Sequence, residues 1–292
     1  MDKRVKFDFE IEFSNGGGIQ GQDFRLDIVG DDITDQALAD NIVADLRLLM
    51  VGRVRILNKT IIHEAHKRSV SPAARQYVDL SHVIEDGLVS YKGLPPPVIC
   101  DYLSREDSRK FYEGGTEFQI GKIEMVTNTG TYIDCPFHRY PDGKDCSEMP
   151  LERFVDLPGV VIRADHQRGL AVDLDAVEGK VSAGQAVLIH TRWADHWNTP
   201  TYYENHPFVT AEAAAYLADQ RVALVGIDSH NIDDTRVRVR PVHTTLLGRE
   251  ILIVEHLCNL EHVPDNGFTF TAMPPKFKGV GTFPVRAVAR VI

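Results

Sequence analysis

No stretch of the 292-residue sequence approaches the ~18 consecutive apolar residues that a membrane-spanning helix needs. The opening MDKRVKFDFE has no apolar signal core. Cysteine is scarce, and no two of Cys100, Cys135, Cys146 and Cys258 form a C-x-x-C pair. These absences together lead us to expect a cytoplasmic protein with reduced thiols. Positive charge is also short, with 32 Lys and Arg against 42 Asp and Glu, a formal net charge of −10. That balance repels phosphate backbones and anionic lipid surfaces, so nucleic acid and membrane are excluded as expected partners. A small-molecule substrate remains. Internal repeats and low-complexity tracts are missing as well, which removes solenoids and disordered tails from consideration.

What is present is an ordinary globular composition long enough to bury a sizeable core, with 43% apolar and 25% charged residues. Val5, Phe7, Phe9, Ile11 and Phe13 alternate with Lys6, Asp8, Glu10 and Glu12, the period of a half-buried strand. Asn15 and Gly16 to Gly18 make a turn, and Phe24, Leu26 and Ile28 repeat the alternation. Asp31 or Asp32 is expected to cap a helix with Leu38, Ile42, Leu46 and Leu49 on its apolar face and Gly52 at its end. A third strand follows over Val54 to Ile62. Residues 1–65 thus read as a small ββαβ module, either a docking element or a solubilising extension. The polar segment His66 to Gln76 is the best linker, and residues 77–292 form the main domain. There, short apolar runs punctuated by turns (VVIRAD, AVLIHT, VALVGID, ILIVEH) outnumber the one convincing helix, which Thr210 caps. The expected class is mixed α/β, rich in strand.

Three clusters carry chemistry. In NTGTYIDCPFH, Asn128, Tyr132, Asp134 and His138 share one face if the segment is extended, with Ile133 and Phe137 turned to the core. Asp228, Ser229, His230, Asn231 and Asp233 crowd the end of the VALVGID strand, where ligands gather in α/β sheets. A structural turn with side-chain caps explains that crowd equally. In PVHTTLLGREILIVEHLCNL, His243 opens a short helical turn and Glu255 sits inside an apolar strand. A buried carboxylate needs a partner, either a metal or an arginine such as Arg240 or Arg249.

From Val78 onward the chain resembles the cyclase family, which includes bacterial kynurenine formamidase, isatin hydrolase and related metal-dependent hydrolases. The likeness runs in order through VDLSHVIEDGLVSYKGLPPP, NTGTYIDCPFH, PDGKDCSEMPLERF, VLIHTRWADHW, VGIDSHNID and PVHTTLLGREILIVEHLCNL. It implies a cyclase-like β-barrel or swivelling domain with flanking helices, and a homodimer or larger homo-oligomer. The family's signature reads H-x-G-T-H-x-D-x-P-x-H. Asn128 and Tyr132 stand in place of its first two imidazoles, whereas Asp134 and His138 match. The resemblance carries metal-site roles to Asp134, His243 and Glu255. An amide oxygen is a weak ligand, and a phenol binds metal well only when deprotonated. One half of a two-metal site is therefore damaged and the other kept.

The leading expectation is one divalent ion (Zn, Mn or Mg) held by Asp134, His243 and Glu255, with Asn128 or His230 as a further metal or substrate contact. A C–N or C–O bond of a small cyclic amide, lactone or formamide would be hydrolysed by metal-activated water. His138 would serve as general base and Tyr132 as oxyanion donor. Trp193 and Trp197 are candidates for an aromatic pocket wall, although such residues are more often core. Two alternatives stand beside it: a metal-free acid–base lactonase, lyase or isomerase using the same residues, and a non-catalytic small-molecule-binding relic. Cys135 and Cys258 lie close to these residues in sequence but read as small core residues.

Overall fold

A computed structural model describes residues 3–28, 30–63 and 76–291. Contacts divide the chain into two compact units, Met1–Ala74 and Arg75–Ile292. Apart from Gln76, the linker candidate lies outside the described residues.

The first unit is a three-stranded antiparallel sheet with one helix. Strands β1 (Lys3–Phe13), β2 (Gly18–Asp27) and β3 (Val51–His63) are ordered β2-β1-β3, and α1 (Asp35–Asp45) precedes β3. The alternating side chains Val5, Phe7, Phe9 and Ile11 form its core with Leu38 and Ile42. Thr34, rather than Asp31 or Asp32, caps α1, because its side chain accepts from the amide of Ala37. The helix stops at Asp45, so Leu46 and Leu49 fall outside it and are exposed, and Gly52 already belongs to β3.

The second unit is built on a nine-stranded sheet that curls into a half-barrel. Its strands are β4 (Gln76–Asp79), β7 (Tyr132–Asp134), β8 (Leu157–Arg163), β10 (Ala186–His190), β12 (Leu224–Ile227), β13 (Leu252–Glu255), β14 (Phe268–Thr271), β15 (Thr282–Pro284) and β16 (Val288–Val291). Outside it, β5 (Val98–Leu103) pairs with β6 (Ile120–Glu124), and β9 (Ala171–Val172) with β11 (Phe208–Val209). The helices are α2 (Arg105–Ser108), α3 (Leu174–Val177), α4 (Ala211–Asp219) and α5 (Pro241–Leu247). The sheet order is β15-β7-β13-β12-β10-β8-β14-β16-β4. Its centre, β8-β10-β12-β13, is parallel. Those four strands are the continuous apolar runs of the sequence, and the reason is burial on both faces. Val160, Ile162, Val187, Ile189, Val225, Ile227 and Ile253 pack under α4 and α5. The intervening Val161, Leu188, Leu224, Leu252 and Val254 join Phe268 and Phe270 in a second core. Among the described residues no helix is long and apolar enough to cross a membrane.

Candidate active site

The candidate site lies where the C-terminal end of β13 meets β7 and the first turn of α5. Strand register sets it up. Glu255, the last residue of β13, pairs with Tyr132, and Thr282 of β15 pairs with Asp134. Directly opposed residues project to the same side of a sheet, so each pair is in contact. The Tyr132 hydroxyl donates to Glu255 Oε2, and the Thr282 hydroxyl donates to Asp134 Oδ1. Ile133, between Tyr132 and Asp134, points into the opposite core as its alternation requires. Beyond β7 the chain turns through Pro136–His138. Gly281 backs that turn so closely that a Cβ there would lie 2.3 Å from the His138 nitrogen. The turn leaves Phe137 36% exposed, not in the core, because the extended run ends at Asp134.

His243 arrives from α5. That helix begins Arg240-Pro241, and Arg240 supplies no side-chain cap. Asp233 does the capping from outside, accepting from the amides of Val242 (2.8 Å) and His243 (3.1 Å). Its Oδ2 also lies 2.6 Å from His243 Nδ1. One buried carboxylate therefore fixes both the helix start and the imidazole.

Asp134, His138 and His243 each offer a ligand atom within 4.8 Å of the others. His243 Nε2 is 3.5 Å from Asp134 Oδ2 and 3.7 Å from Glu255 Oε1. Hydrogen bonding settles the tautomers. The single Thr282 proton goes to Asp134, so His138 Nδ1, 2.8 Å from that hydroxyl, must be the donor. His243 Nδ1 donates to Asp233 in the same way. When both rings are neutral, each turns an Nε2 lone pair away from its anchor.

The two buried carboxylates differ. Glu255 is saturated: Oε1 accepts from the Ile232 amide (2.7 Å), and Oε2 from Tyr132 and Asn231. Asp134 Oδ2 is buried and accepts no hydrogen bond among the described residues. Burial acts to raise Asp134, but His243, His138 and Thr282 outweigh it and hold its carboxyl below the usual range. Burial pushes Glu255 up, His243 offsets part of this, the Asp134 charge adds to it, and the result is about 7. Burial alone would depress His243. Asp134, Asp233 and the Glu255 charge reverse that and raise it to about 10. Without a bound cation the ring is an imidazolium at neutral pH, so any metal must displace its proton. A buried carboxylate with one orphaned oxygen, close to two imidazoles, is a donor set that suits a divalent ion.

A cavity of about 290 Å³ opens onto this group. Asn128, Tyr132, Asp134, His138, His243 and Glu255, six of the residues singled out in the sequence, line it. Tyr91, Asn231, Arg139 and Arg240 also line it; Asn231 belongs to the polar cluster at the end of the VALVGID strand, whereas spacing gave no signal for Tyr91 and Arg139. Arg240 makes no ion pair with Glu255. Its Nη1 donates to the carbonyls of Asp234, Val237 and Val239.

The remaining sequence candidates lie elsewhere. His230 is buried behind the cavity wall, its ring 4.5 Å from that of Tyr91 and packed on Tyr202, Tyr203 and His206. Trp193 is core, its indole N–H donating to the Tyr202 carbonyl at 3.0 Å. Trp197 stacks on His82 at 3.8 Å. Neither tryptophan lines the cavity, because the turn after β10 packs them against other rings. Tyr132 spends its proton on Glu255, which removes the expected oxyanion donor. Cys135 sits in the core with its sulfur 3.5 Å from that of Cys146, and Cys258 is buried too.

The sequence profile of the cyclase family matches residues 78–234, and the chain belongs to that family. It is similar to kynurenine formamidase of Bacillus cytotoxicus, 27% identical over 217 residues that cover 74% of this chain and 98% of the relative. Kynurenine formamidase of Geobacillus thermodenitrificans is 29% identical, with 73% and 97% covered. Among solved structures, isatin hydrolase A from Labrenzia aggregata shares the fold at a TM-score of 0.66 and 21% identity, covering 77% of this chain and 96% of its own. A predicted metal-dependent hydrolase from Bacillus stearothermophilus has a TM-score of 0.61 and 26% identity, covering 75% and 99%.

Proposed function

We propose that the second unit is a metal-dependent hydrolase that cleaves a C–N or C–O bond in a small cyclic amide, lactone or formamide. The observation that carries this reading is Asp134: its Oδ2 is buried without a hydrogen bond, 3.5 Å from His243 Nε2, and the carboxylate lies within 4.8 Å of ligand atoms of both His138 and His243. The names of the formamidase relatives support a carbonyl substrate.

Asp134 and His243 would hold one divalent ion, with Glu255, 3.7 Å from His243 Nε2, as the third group. Bound there, zinc, manganese or magnesium supplies Lewis acidity toward a carbonyl and lowers the pKa of water. Asp233 keeps the His243 ring turned so that Nε2 faces the cavity. Tyr132 is a positioning residue that orients Glu255. His138 is the proton carrier. Its side chain is 34% exposed, so it exchanges protons with solvent, and its Nε2 can take a proton from attacking water and deliver it to the leaving nitrogen or oxygen. Asn128 lines the cavity as a substrate contact.

The test is elemental analysis of untagged protein, followed by turnover of formanilide, a lactone and an aryl ester. About one equivalent of metal and chelator-sensitive turnover are expected. Asp134→Ala should lose both, whereas His138→Ala should lose turnover and keep the metal. Two equivalents would overturn the single-ion reading. Turnover that survives complete chelation would favour metal-free acid–base catalysis, a reading supported by the spread between Glu255 at about 7 and His243 at about 10. A chain that holds metal and turns over nothing would be a binding protein. We also propose self-association through the exposed Val98, Tyr102, Ile120 and Ile123 of the β5–β6 pair. Light scattering that finds only monomer would refute it.

A further inference from the structure

The cavity has a floor of one sign and a rim of the other. Asp134 and Glu255 are at its base, while Arg139 and Arg240 line it as well. The chain has ten more acidic than basic side chains, 42 against 32, so carboxylate partners for arginine are plentiful. Among the described residues, neither guanidinium has one within ion-pair distance. Arg139 is exposed, and no hydrogen bond to it is made by any described side chain. Arg240 is half-buried and held by three backbone carbonyls, Asp234, Val237 and Val239, all reached by Nη1. Carbonyls, and the neutral Tyr91 hydroxyl that also meets this guanidinium, fix its position without neutralising it, which leaves its charge for an external acceptor. Arg240 also senses the site. Burial and the Glu255 charge raise the Tyr91 phenol, and Arg240 partly offsets them. Both arginines are tied to the histidines of the floor by sequence: Arg139 follows His138, and Arg240 lies one helical turn before His243.

Building on the hydrolase reading, we infer that Arg139 and Arg240 form an anion-binding rim, so that the substrate is a small organic acid whose carboxylate sits beside the bond to be cleaved. A neutral amide offers two guanidiniums only a carbonyl oxygen and no countercharge, whereas a carboxylate can accept paired N–H bonds from a fixed fork and neutralise them. The same charge would bind the carboxylate end of the substrate while the acidic floor repels it, which orients the scissile carbonyl inward. A volume of about 290 Å³ is at the lower limit of small-molecule pockets, ~300–1,000 Å³, and suits a substrate of one ring.

Benzoate and benzamide, alike in size and differing in charge, provide the test. Binding of each to the full chain is measured by calorimetry, once loaded with zinc and once stripped by chelator. Benzoate should bind on the order of tenfold more tightly than benzamide in both forms. Arg139→Gln makes no bond that folding needs, and it should erase most of that preference while leaving benzamide affinity and zinc content unchanged. Arg240→Gln should do the same, with Arg240→Lys intermediate because it keeps the charge and loses the fork. Equal binding of the two ligands would overturn the proposal. So would a benzoate preference that survives both substitutions or vanishes on chelation, since the metal would then be the anion's partner. Binding requires no turnover, so this result stands apart from the hydrolase reading: an inactive chain that prefers benzoate supports the rim, and an active chain without the preference refutes it.

Discussion

One buried histidine of the second unit, His243, and three others, the buried His230 and His256 and the half-buried His82, are driven in opposite directions by their surroundings. His243 has the Asp233 oxygen at 2.6 Å and the Asp134 and Glu255 oxygens at 3.5 and 3.7 Å. It is raised to about 10. His82, His230 and His256 lie among rings. His82 is stacked on Trp197, and His256 is 5.4 to 5.7 Å from Trp197, Tyr202 and His230. Burial drops His82 to about 4 and, with a smaller push from His206, His230 to about 3. His256 falls well below its ordinary value for the same reason. Desolvation acts on all four, so the nearby carboxylates decide the outcome. The chain concentrates those carboxylates at the cavity, and there an imidazole becomes able to exchange a proton for a metal.

The largest effect should come from removing that carboxylate support. Asp233→Asn keeps the shape but loses the charge that orients His243 and caps α5. Metal affinity should fall ~10- to 100-fold, read by competition with a chromophoric chelator. Unchanged affinity would mean that the His243 environment is not what makes the site. Next is pH. A folded pKa raised above the unfolded value gives stability that is complete below the unfolded pKa and lost as pH rises through the folded one. For His243 in metal-free protein that window runs from ~6.5 to about 10. For the depressed His82 and His230 the sign inverts, and stability is lost as pH falls from ~6.5 toward about 4 and 3. Asp228, raised to about 6 by burial, works against that acid loss, so the informative comparison is between variants. His230→Asn should flatten the acid limb of the melting profile and leave the alkaline limb alone, whereas zinc, which competes with the His243 proton, should add stability increasingly toward alkaline pH. Nitrogen-15 imidazole spectra sharpen the contrast: in metal-free protein at pH 8 His243 should carry two protons, while at pH 5.5 His82 and His230 should each carry one. The smallest effect belongs to Tyr132→Phe. Glu255 Oε2 keeps only Asn231, so a loss of ~1–3 kcal/mol in denaturant stability and a several-fold drop in turnover are expected. A wild-type profile would show that Glu255 does not depend on the phenol.

Much of this was legible beforehand, for reasons of periodicity. The alternation in Val5 to Ile11, the Thr210 cap and the four apolar runs of the parallel centre correspond to observed elements. Asn128, Tyr132, Asp134, His138, His243 and Glu255 were each visible as polar groups set in apolar context, and all six line one cavity. The misreadings share a cause. His230, Trp193 and Trp197 are close in sequence to turns at strand ends, but packing against Tyr202 and its neighbours took them out of the cavity. Asp233 looked like a turn residue, and it is one: the same two oxygens that cap α5 hold His243.

The sequence by itself determined which side chains could do chemistry and which strands would be buried, because residue type and spacing are local properties. Only the tertiary structure decided that Glu255 is satisfied while an oxygen of Asp134 is not, that Tyr132 has no proton to offer a substrate, and that two arginines share the cavity with two acids. Each of these is a question of which atoms meet across strands and loops distant in the chain. A hydrogen bond's partner depends on register and packing, and neither is written in the spacing of a single segment.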